Sequence, residues 1–149
     1  MSLTARNRVF ELPLRVYWED TDAGGIVFYA NYLKFFERAR TEWLRSLGVH
    51  QQALREATGG IFVVSETSVR YHRPARLDDD LRVSAALQSA GRASLTFVQQ
   101  ARLAPAGATD GATDDTGEPL CEGTIRVGWV DAATMRPARM PPHILEILK

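Results

Sequence analysis

The chain has 149 residues, of which 45% are hydrophobic and 24% are charged, and its eighteen basic side chains balance eighteen acidic ones. A balanced charge excludes the basic field on which non-specific nucleic-acid binding depends, so we expect no nucleic-acid partner. The length predicts a single domain over residues 1–149, with a core of its own.

The single cysteine, Cys121, excludes an intramolecular disulfide and a thiolate metal cluster, and it is typical of a reducing compartment. No stretch approaches the roughly 18 apolar residues of a membrane span, and the first residues lack the apolar core of a signal peptide. We therefore expect a cytoplasmic protein that has no membrane span and needs no metal or cofactor.

The first predicted element is a strand. Apolar and polar residues alternate with a period of two from Phe10 to Trp18, which predicts one apolar face. Pro13 cannot donate a ladder hydrogen bond, so this strand either lies at a sheet edge or begins just after Pro13. It runs directly into an acidic turn that begins at Glu19.

A long amphipathic helix is predicted from about Asn31 to Leu47, because aromatic and aliphatic residues recur on one face of it. Gly48 stands where a helix commonly ends in left-handed geometry. A short second helix is predicted from His50 to Ala57. Asn31 is either the cap of the long helix or polar lining of a site, and the cap is the simpler interpretation.

The rest of the chain predicts four strands, because apolar and polar residues alternate in each of them. They span residues 63–72, 81–88, 93–103 and 121–129. The last three are joined by short or turn-like connections, which favours an antiparallel meander. Residues 104–119 contain only Ala, Gly, Thr, Asp, Glu and Pro, so we expect a mobile loop there, and residues 143–148 favour a helical turn.

The order of elements predicts the fold class. A helix with an apolar face and a sheet with an apolar face must bury each other. We therefore expect an α+β fold in which a curved antiparallel sheet of about five strands wraps a long central helix.

Four stretches of the chain resemble a known family, the hotdog-fold acyl-CoA thioesterases. The similarity is strongest to the branch that contains 4-hydroxybenzoyl-CoA thioesterase and the Tol-Pal-associated acyl-CoA thioesterases. Residues 19–33 carry it in the sequence EDTDAGGIVFYANYL, and residues 35–44 carry it in FFERARTEWL. Residues 71–79 (YHRPARLDD) and 129–131 (WVD) agree as well.

This resemblance implies an acyl-CoA thioester substrate, or the same acyl group on an acyl carrier protein. It implies Asp22 as the catalytic carboxylate, acting as nucleophile or general base, and a helix start near Tyr29 whose N–H groups polarise the thioester carbonyl. It also implies sheets paired edge to edge in dimers, a homotetramer of two dimers, and active sites at subunit interfaces. Many Tol-Pal-associated members carry His where this chain has Tyr29, so the choice between aliphatic and aromatic acyl groups stays open.

Elementary chemistry favours the same turn. Thioester hydrolysis passes through a negatively charged oxygen, and a helix N-terminus offers unpaired N–H donors with about half a positive charge. Asp22, a few residues upstream, can attack the carbonyl or take a proton from water. Gly24 and Gly25 let the backbone approach the substrate, so we place Gly25 with Asp22 and Tyr29 as catalytic residues and Gly24 among the binding residues.

The remaining candidate binding residues flank the turn or end a later strand. They are Val27, Phe28 and Asn31 beside the turn, and Arg70, His72 and Arg73 at the strand end. Arginine forks suit the phosphates of CoA, although such a set is more often a solvated strand end. Cys121 falls on an apolar strand face, which predicts a core position rather than a nucleophile.

Other interpretations remain open at this point. Asp and Gly commonly serve turn geometry alone, and the fold can also serve a non-catalytic module that binds an acyl carrier protein or an envelope complex. A hotdog hydratase is disfavoured, because those enzymes resemble one another in an Asp followed closely by a His. No His lies between Asp22 and Asn31.

Overall fold

The computed structural model describes residues 9–105 and 117–149. The strands in these ranges are β1 (Phe10–Arg15), β2 (Gly60–Tyr71), β3 (Asp80–Ala90), β4 (Ser94–Leu103) and β5 (Cys121–Asp131), and the helices are α1 (Asn31–Ser46), α2 (Gln51–Thr58) and α3 (Pro142–Leu148). Most of the loop predicted at 104–119 lies outside the described residues, so its mobility stays a prediction.

The strands form one sheet with the order β1-β3-β4-β5-β2, and each neighbouring pair is antiparallel. The meander predicted for the last three strands is therefore confirmed, and so is the α+β class with a five-stranded antiparallel sheet. β1 and β2 occupy the two edges. No helix within the described ranges is long and apolar enough to cross a membrane.

Helix α1 packs its aromatic face on the sheet. Phe36 and Trp43 are buried, and the Trp43 ring meets the Phe97 ring of β4 edge-on at 5.3 Å. Gly123 in β5 leaves room for Phe36, since a Cβ at that glycine would lie 2.9 Å from the Phe36 ring. Each such buried side chain contributes about 1.5–3 kcal/mol, so packing on the sheet holds α1 in place.

A buried polar link also fixes α1 to the sheet. The Arg40 guanidinium donates to Gln99 Oε1 at 2.9 Å, and Gln99 Nε2 donates to the Phe36 carbonyl at 2.9 Å and the Ser84 carbonyl at 3.1 Å. Burial lowers the pKa of Arg40 from its ordinary value. A buried polar group without a hydrogen-bond partner destabilises the folded state. These groups are paired only when α1 lies in this position, so the link specifies where α1 sits on β3 and β4.

The first strand is shorter than its alternation predicts. Pro13 does lie in an edge strand, as one of the two predicted positions requires. The prediction that the strand continues to Trp18 is wrong, because Trp18 begins a short 3-10 turn that ends at Asp20, and its side chain is 82% exposed. The Asp20 carboxylate accepts the Tyr17 N–H at 2.8 Å. Because of this local bond, the Tyr17 N–H is not available to pair with a neighbouring strand.

The predicted helix ends are confirmed. Gly48 follows α1 with a φ of 84°, and Gly59 follows α2 with a φ of 76°. Both values lie in the left-handed region that glycine adopts without a steric penalty. The helical turn predicted near the C-terminus is α3.

Candidate active site

The acidic turn is a tight hairpin that stands apart from β1. Thr21 and Val27 pair across it, and the Asp22 N–H bonds the Ile26 carbonyl at 2.9 Å. Gly25 donates its N–H to the Asp22 carbonyl at 3.1 Å and has a left-handed φ of 77°. We call residues 21–27 the acidic hairpin. Its closure depends on a glycine at position 25, because side chains rarely adopt that backbone conformation.

The acidic hairpin is anchored to the segment that follows β2. The Val27 N–H bonds the Ala75 carbonyl at 2.9 Å, and the Leu77 N–H reaches the Gly25 carbonyl at 3.4 Å. Val27 and Ala75 are buried at this contact. The backbone that carries the acid is therefore held by the protein core on one side, although its tip is exposed.

The Asp22 carboxylate is exposed, and one of its two oxygens accepts a hydrogen bond from the protein. Its Oδ1 accepts the Gly24 N–H at 2.8 Å, which fixes the side chain over the hairpin in an Asx turn. Among the described residues, no protein donor reaches the other carboxylate oxygen. One oxygen is thus oriented by the backbone, and the second is available to a substrate or a water molecule.

Asp20 connects the acidic hairpin to the start of α1. Its Oδ1 accepts a hydrogen bond from Asn31 Nδ2 at 2.9 Å, and its backbone carbonyl accepts the Phe28 N–H at 2.9 Å. Asn31 is buried and lies inside α1, with Ala30 at the cap position and no side-chain cap bond. The prediction that Asn31 caps the helix is therefore wrong, because its amide donates to the partly buried Asp20 carboxylate instead.

The helix start presents free backbone donors. Within the described residues, neither the Tyr29 N–H nor the Ala30 N–H has a protein acceptor, whereas the Asn31 N–H bonds the Phe28 carbonyl at 2.8 Å. These two groups lie at the positive end of the α1 dipole. The Tyr29 ring is 65% exposed and stands 4.9 Å from the Phe28 ring.

An apolar cleft of about 240 Å³ opens beside this helix start. Its wall is formed by the acidic hairpin, by α1 and by the end of β2. The lining residues are Ile26, Val27, Tyr29, Tyr32, Tyr71, His72, Arg73 and Pro74. Tyr32 and Tyr71 pack edge-on against each other in its wall, with their ring centroids 5.7 Å apart. An apolar cleft with free N–H groups at its rim suits an acyl group attached to a polarised carbonyl.

The basic residues at the end of β2 do not act as one set. His72 and Arg73 line the cleft, whereas Arg70 lines a separate cavity of about 250 Å³ on the outer face of the sheet. Arg73 donates weakly to the Glu118 carbonyl at 3.3 Å. Arg70 and Glu122 line that cavity together, and the structure places Arg70 outside the cleft that His72 and Arg73 line.

His72 is tied to the outer face of the sheet. Its Nε2 lies 2.8 Å from Glu122 Oε2, and Gln100 Nε2 donates to Glu122 Oε1 at 2.8 Å. The bonds from His72 and Gln100 lower the pKa of the Glu122 carboxyl from its ordinary value. This network orients His72 at the edge of the cleft.

Cys121 is fully buried, and burial raises the pKa of its thiol to about 12. A thiol with that pKa carries almost no thiolate near neutral pH, so it is a poor nucleophile. The core position predicted for it is confirmed.

Of the predicted site residues, Val27, Tyr29, His72 and Arg73 line the cleft, and Asp22, Gly24, Gly25, Phe28 and Asn31 do not. Asp22, Gly24, Gly25 and Val27 share the acidic hairpin, and Phe28, Tyr29 and Asn31 follow it at the helix start. Sequence reasoning gave no site role to three contributors: Asp20, Tyr32 and Tyr71. Asp20 lies within the stretch 19–33 and was a discoverable candidate, whereas the stretch 71–79 gave no sign that Tyr71 contacts Tyr29.

Comparison with known proteins gives a consistent answer. A model of the thioesterase-like superfamily matches residues 16–148. The acyl-CoA thioester hydrolase YbgC of Escherichia coli O6:H1 is 42% identical over 141 residues, which cover 95% of this chain and 96% of the relative. The acyl-CoA thioesterase YbgC of Haemophilus influenzae is 38% identical over 135 residues, with 91% and 90% of the two chains covered.

A solved structure matches the fold. The 1,4-dihydroxy-2-naphthoyl-CoA thioesterase of Synechocystis superposes with a TM-score of 0.79 at 18% identity, over 95% of this chain and 96% of that one. At that identity the match shows the architecture, which is the hotdog fold predicted from the sequence. Together with the family match over residues 16–148, it leads to one conclusion: the chain belongs to the thioesterase-like superfamily of hotdog-fold proteins.

Proposed function

We propose that this protein hydrolyses acyl-CoA thioesters to a free acid and CoA. One observation carries the proposal: a carboxylate with a free oxygen, that of Asp22, lies in the hairpin that leads into two unpaired N–H groups at a helix start. The family, and relatives named acyl-CoA thioesterases, support the same activity.

The helix start supplies the electrostatic part of the reaction. As the thioester carbonyl becomes tetrahedral, its oxygen gains negative charge, and the N–H of Tyr29 is the proposed donor to it. A preorganised donor of this kind is worth roughly 3 kcal/mol in the transition state. Gly25 keeps the approach to the site free of a side chain, while Gly24 orients Asp22.

Asp22 supplies the reacting oxygen or removes a proton. It either attacks the carbonyl to form a mixed anhydride, or it takes the proton from a water molecule that attacks. Single turnover in oxygen-18 water tests the nucleophilic route, because hydrolysis of the anhydride at the Asp22 carboxyl leaves the label in the protein. Label found only in the released acid fits the water route and also hydrolysis of the anhydride at the acyl carbon.

The cleft is the proposed acyl site, and the end of β2 is the proposed site for CoA phosphates. Tyr29 and Tyr71 give the cleft aromatic walls, and their rings stand 6.2 Å apart. His72 and Arg73 lie at the cleft and suit phosphate oxygens. Arg70 lies outside the cleft, in the cavity that Glu122 also lines, and takes part only if the nucleotide extends onto that face of the sheet.

We also propose that β2 pairs with the β2 of a second chain. β2 spans Gly60–Tyr71 and bonds β5 along one edge only, and Val64 within it is 46% exposed. A long open edge of this kind is normally covered or blocked. The exposed outer face of the sheet is then available for joining two dimers in a homotetramer. Sedimentation should give an oligomer for the wild type, and Val64→Lys should shift it towards the monomer.

The site of action we propose is the cytoplasm, where acyl-CoA is available and where a lone thiol stays reduced. The carrier of the acyl group can be CoA or an acyl carrier protein, since both present a thioester on the same phosphopantetheine chemistry.

The experiment that tests this function measures thiol release from a panel of acyl thioesters. The panel contains short and long aliphatic acyl-CoAs, aromatic acyl-CoAs and the matching acyl carrier proteins, with a binding assay run in parallel. Turnover of at least one thioester supports the proposal, and the best substrate defines the acyl class. Binding without any thiol release would instead favour a non-catalytic module for a carrier protein or an envelope complex.

A further inference from the structure

The Tyr71 side chain reaches from the end of β2 to the start of α1. Its hydroxyl donates a hydrogen bond to the Tyr29 carbonyl at 2.8 Å, across a sequence separation of 42 residues. The Tyr71 ring also packs edge-on against the rings of Tyr29 and Tyr32, with centroids 6.2 Å and 5.7 Å away. Tyr71 therefore contacts the residue that carries the proposed donor through both its ring and its hydroxyl.

The Tyr29 carbonyl lies just outside the hydrogen-bond ladder of α1. Tyr29 precedes the cap residue Ala30, and the Leu33 N–H bonds the Ala30 carbonyl at 3.1 Å. Among the described residues, the Tyr71 hydroxyl is the protein donor to the Tyr29 carbonyl.

The two peptide groups around Tyr29 are consequently held from two directions. The Phe28 carbonyl, which shares a peptide plane with the Tyr29 N–H, accepts the Asn31 N–H at 2.8 Å. The Tyr29 carbonyl, which shares a plane with the Ala30 N–H, accepts the Tyr71 hydroxyl. Because a peptide group is planar, fixing each carbonyl also fixes the N–H in the same plane.

We propose that Tyr71 is a positioning residue for thioester hydrolysis: its hydroxyl holds the Tyr29 carbonyl, which fixes the Ala30 N–H in the same peptide plane and steadies the backbone that carries the Tyr29 N–H. This inference rests on the proposed function. Electrostatic catalysis depends on donors that are oriented before the charge develops, and a small misplacement of such groups is costly.

Two further observations agree with this role. Burial raises the pKa of the Tyr71 hydroxyl above its ordinary value, so it stays protonated and able to donate throughout the pH range of the reaction. Tyr71 also stands at the end of the sheet, where β2 pairs with Cys121 of β5. The donor that sets the helix start is thus mounted on a rigid strand rather than on a loop.

The test is Tyr71→Phe in the full-length protein, with Tyr17→Phe as the matched control. The Tyr17 side chain is exposed and lies outside the cleft. With the best acyl-CoA of the panel, we expect Tyr71→Phe to lower kcat about tenfold, less than the ~10²–10³-fold cost of losing a donor outright, because the N–H groups remain but are less well aimed. KM should stay within about twofold, since ground-state binding uses the unchanged ring. Tyr17→Phe should leave both constants unchanged.

A spectroscopic readout separates positioning from a general loss of structure. In the Asp22→Asn background the thioester persists, and the stretching frequency of its isotopically labelled carbonyl reports polarisation by the N–H donors. We expect the frequency to lie below its value in water and to rise towards that value when Tyr71→Phe is added.

An unchanged kcat in Tyr71→Phe, or a fall in kcat with an unchanged carbonyl frequency, would overturn this inference and leave the proposed function intact. A wild-type protein that releases no thiol from any thioester would overturn the proposed function and this inference with it.

Discussion

Asp20 Oδ1 and Asn31 Nδ2 are joined by a hydrogen bond of 2.9 Å, and this bond connects the two halves of the candidate site. Asp20 precedes the acidic hairpin that carries Asp22, while Asn31 is the first residue of α1. The distance between the carboxylate and the N–H donors is therefore set by a side-chain bond as well as by the intervening backbone.

Removal of that bond should loosen the site. We expect Asn31→Ala to cost about 1–2 kcal/mol of unfolding free energy, because Asp20 loses a partly buried partner, and to lower kcat several-fold. Urea unfolding and thiol release measure the two effects. Gln51→Ala is the control, since it removes an exposed amide bond of 3.2 Å to Thr41. If Asn31→Ala matched Gln51→Ala in both measurements, the bond would have no role in the site.

Gly25 is required for hairpin closure and not merely for stability. Gly25→Ala places a side chain at a φ of 77°, which costs about 1–2 kcal/mol, and we expect kcat to fall with it. Gly48→Ala is a matched control: its φ is 84°, and a Cβ there meets no atom within 4 Å, as at Gly25. Both variants should lose similar stability, but only Gly25→Ala should lose activity. Equal activity in the two would show that the hairpin geometry does not matter for turnover.

Gly123 sets how closely α1 approaches the sheet. A Cβ at this position would lie 2.9 Å from Phe36 and 3.0 Å from Ile125, so Gly123→Ala should lower the unfolding free energy by about 1–3 kcal/mol through overpacking. The control in the same strand is Gly128→Ala, where the nearest atom lies 3.7 Å away. Chemical denaturation of both variants is the measurement, and equal losses would contradict the packing argument.

Glu122 should give the fold an acid-sensitive component. The folded-state pKa of its carboxyl is lowered by the bonds from His72 and Gln100, so the charged form is stabilised in the folded protein. That stability is present above the ordinary value of 4.5 and is lost as the pH falls through the lower folded-state pKa.

The matching variant is Glu122→Gln, compared with wild type by thermal unfolding across the pH range. The wild type should unfold at the higher temperature near neutral pH, and the difference should shrink as the pH falls from 4.5 through the lower folded-state pKa. A difference that stays constant with pH would show that the carboxylate charge contributes nothing. The effect should be small, because the pair is partly exposed.

Local sequence patterns predicted the main helices and strands because these elements depend on residues that are close together in the sequence. The aromatic face of α1 and the alternation of β3 to β5 follow from burial on one side, and Gly48 and Gly59 end their helices through their own backbone freedom. The strand ends before Trp18 because the Asp20 carboxylate accepts the Tyr17 N–H, which a strand would use for pairing. The alternation of residue types does not show this competition.

The sequence motif predicted the candidate site, but it did not predict the hydrogen bonds that hold the site in place. Asp22, Gly24, Gly25 and Tyr29 are adjacent in sequence, so the motif places them together. Asp20 and Asn31 meet only when the turn folds back on the start of α1, and Tyr71 reaches Tyr29 only from the end of β2. A bond across 42 residues leaves no trace in the spacing of either partner.

The central claim is that Asp22 performs the chemistry, and its direct test compares Asp22→Asn with Glu19→Gln. Asn keeps the size of the side chain and the oxygen that accepts the Gly24 N–H, but it neither attacks a carbonyl nor takes a proton. Glu19→Gln removes a neighbouring exposed carboxylate that lies outside the acidic hairpin.

Thiol release from the best acyl-CoA is measured for both variants, beside circular dichroism and sedimentation. The account predicts that Asp22→Asn lowers kcat by about a hundredfold or more, with fold and assembly unchanged, and that Glu19→Gln keeps wild-type turnover. Wild-type turnover in a folded Asp22→Asn protein would contradict it.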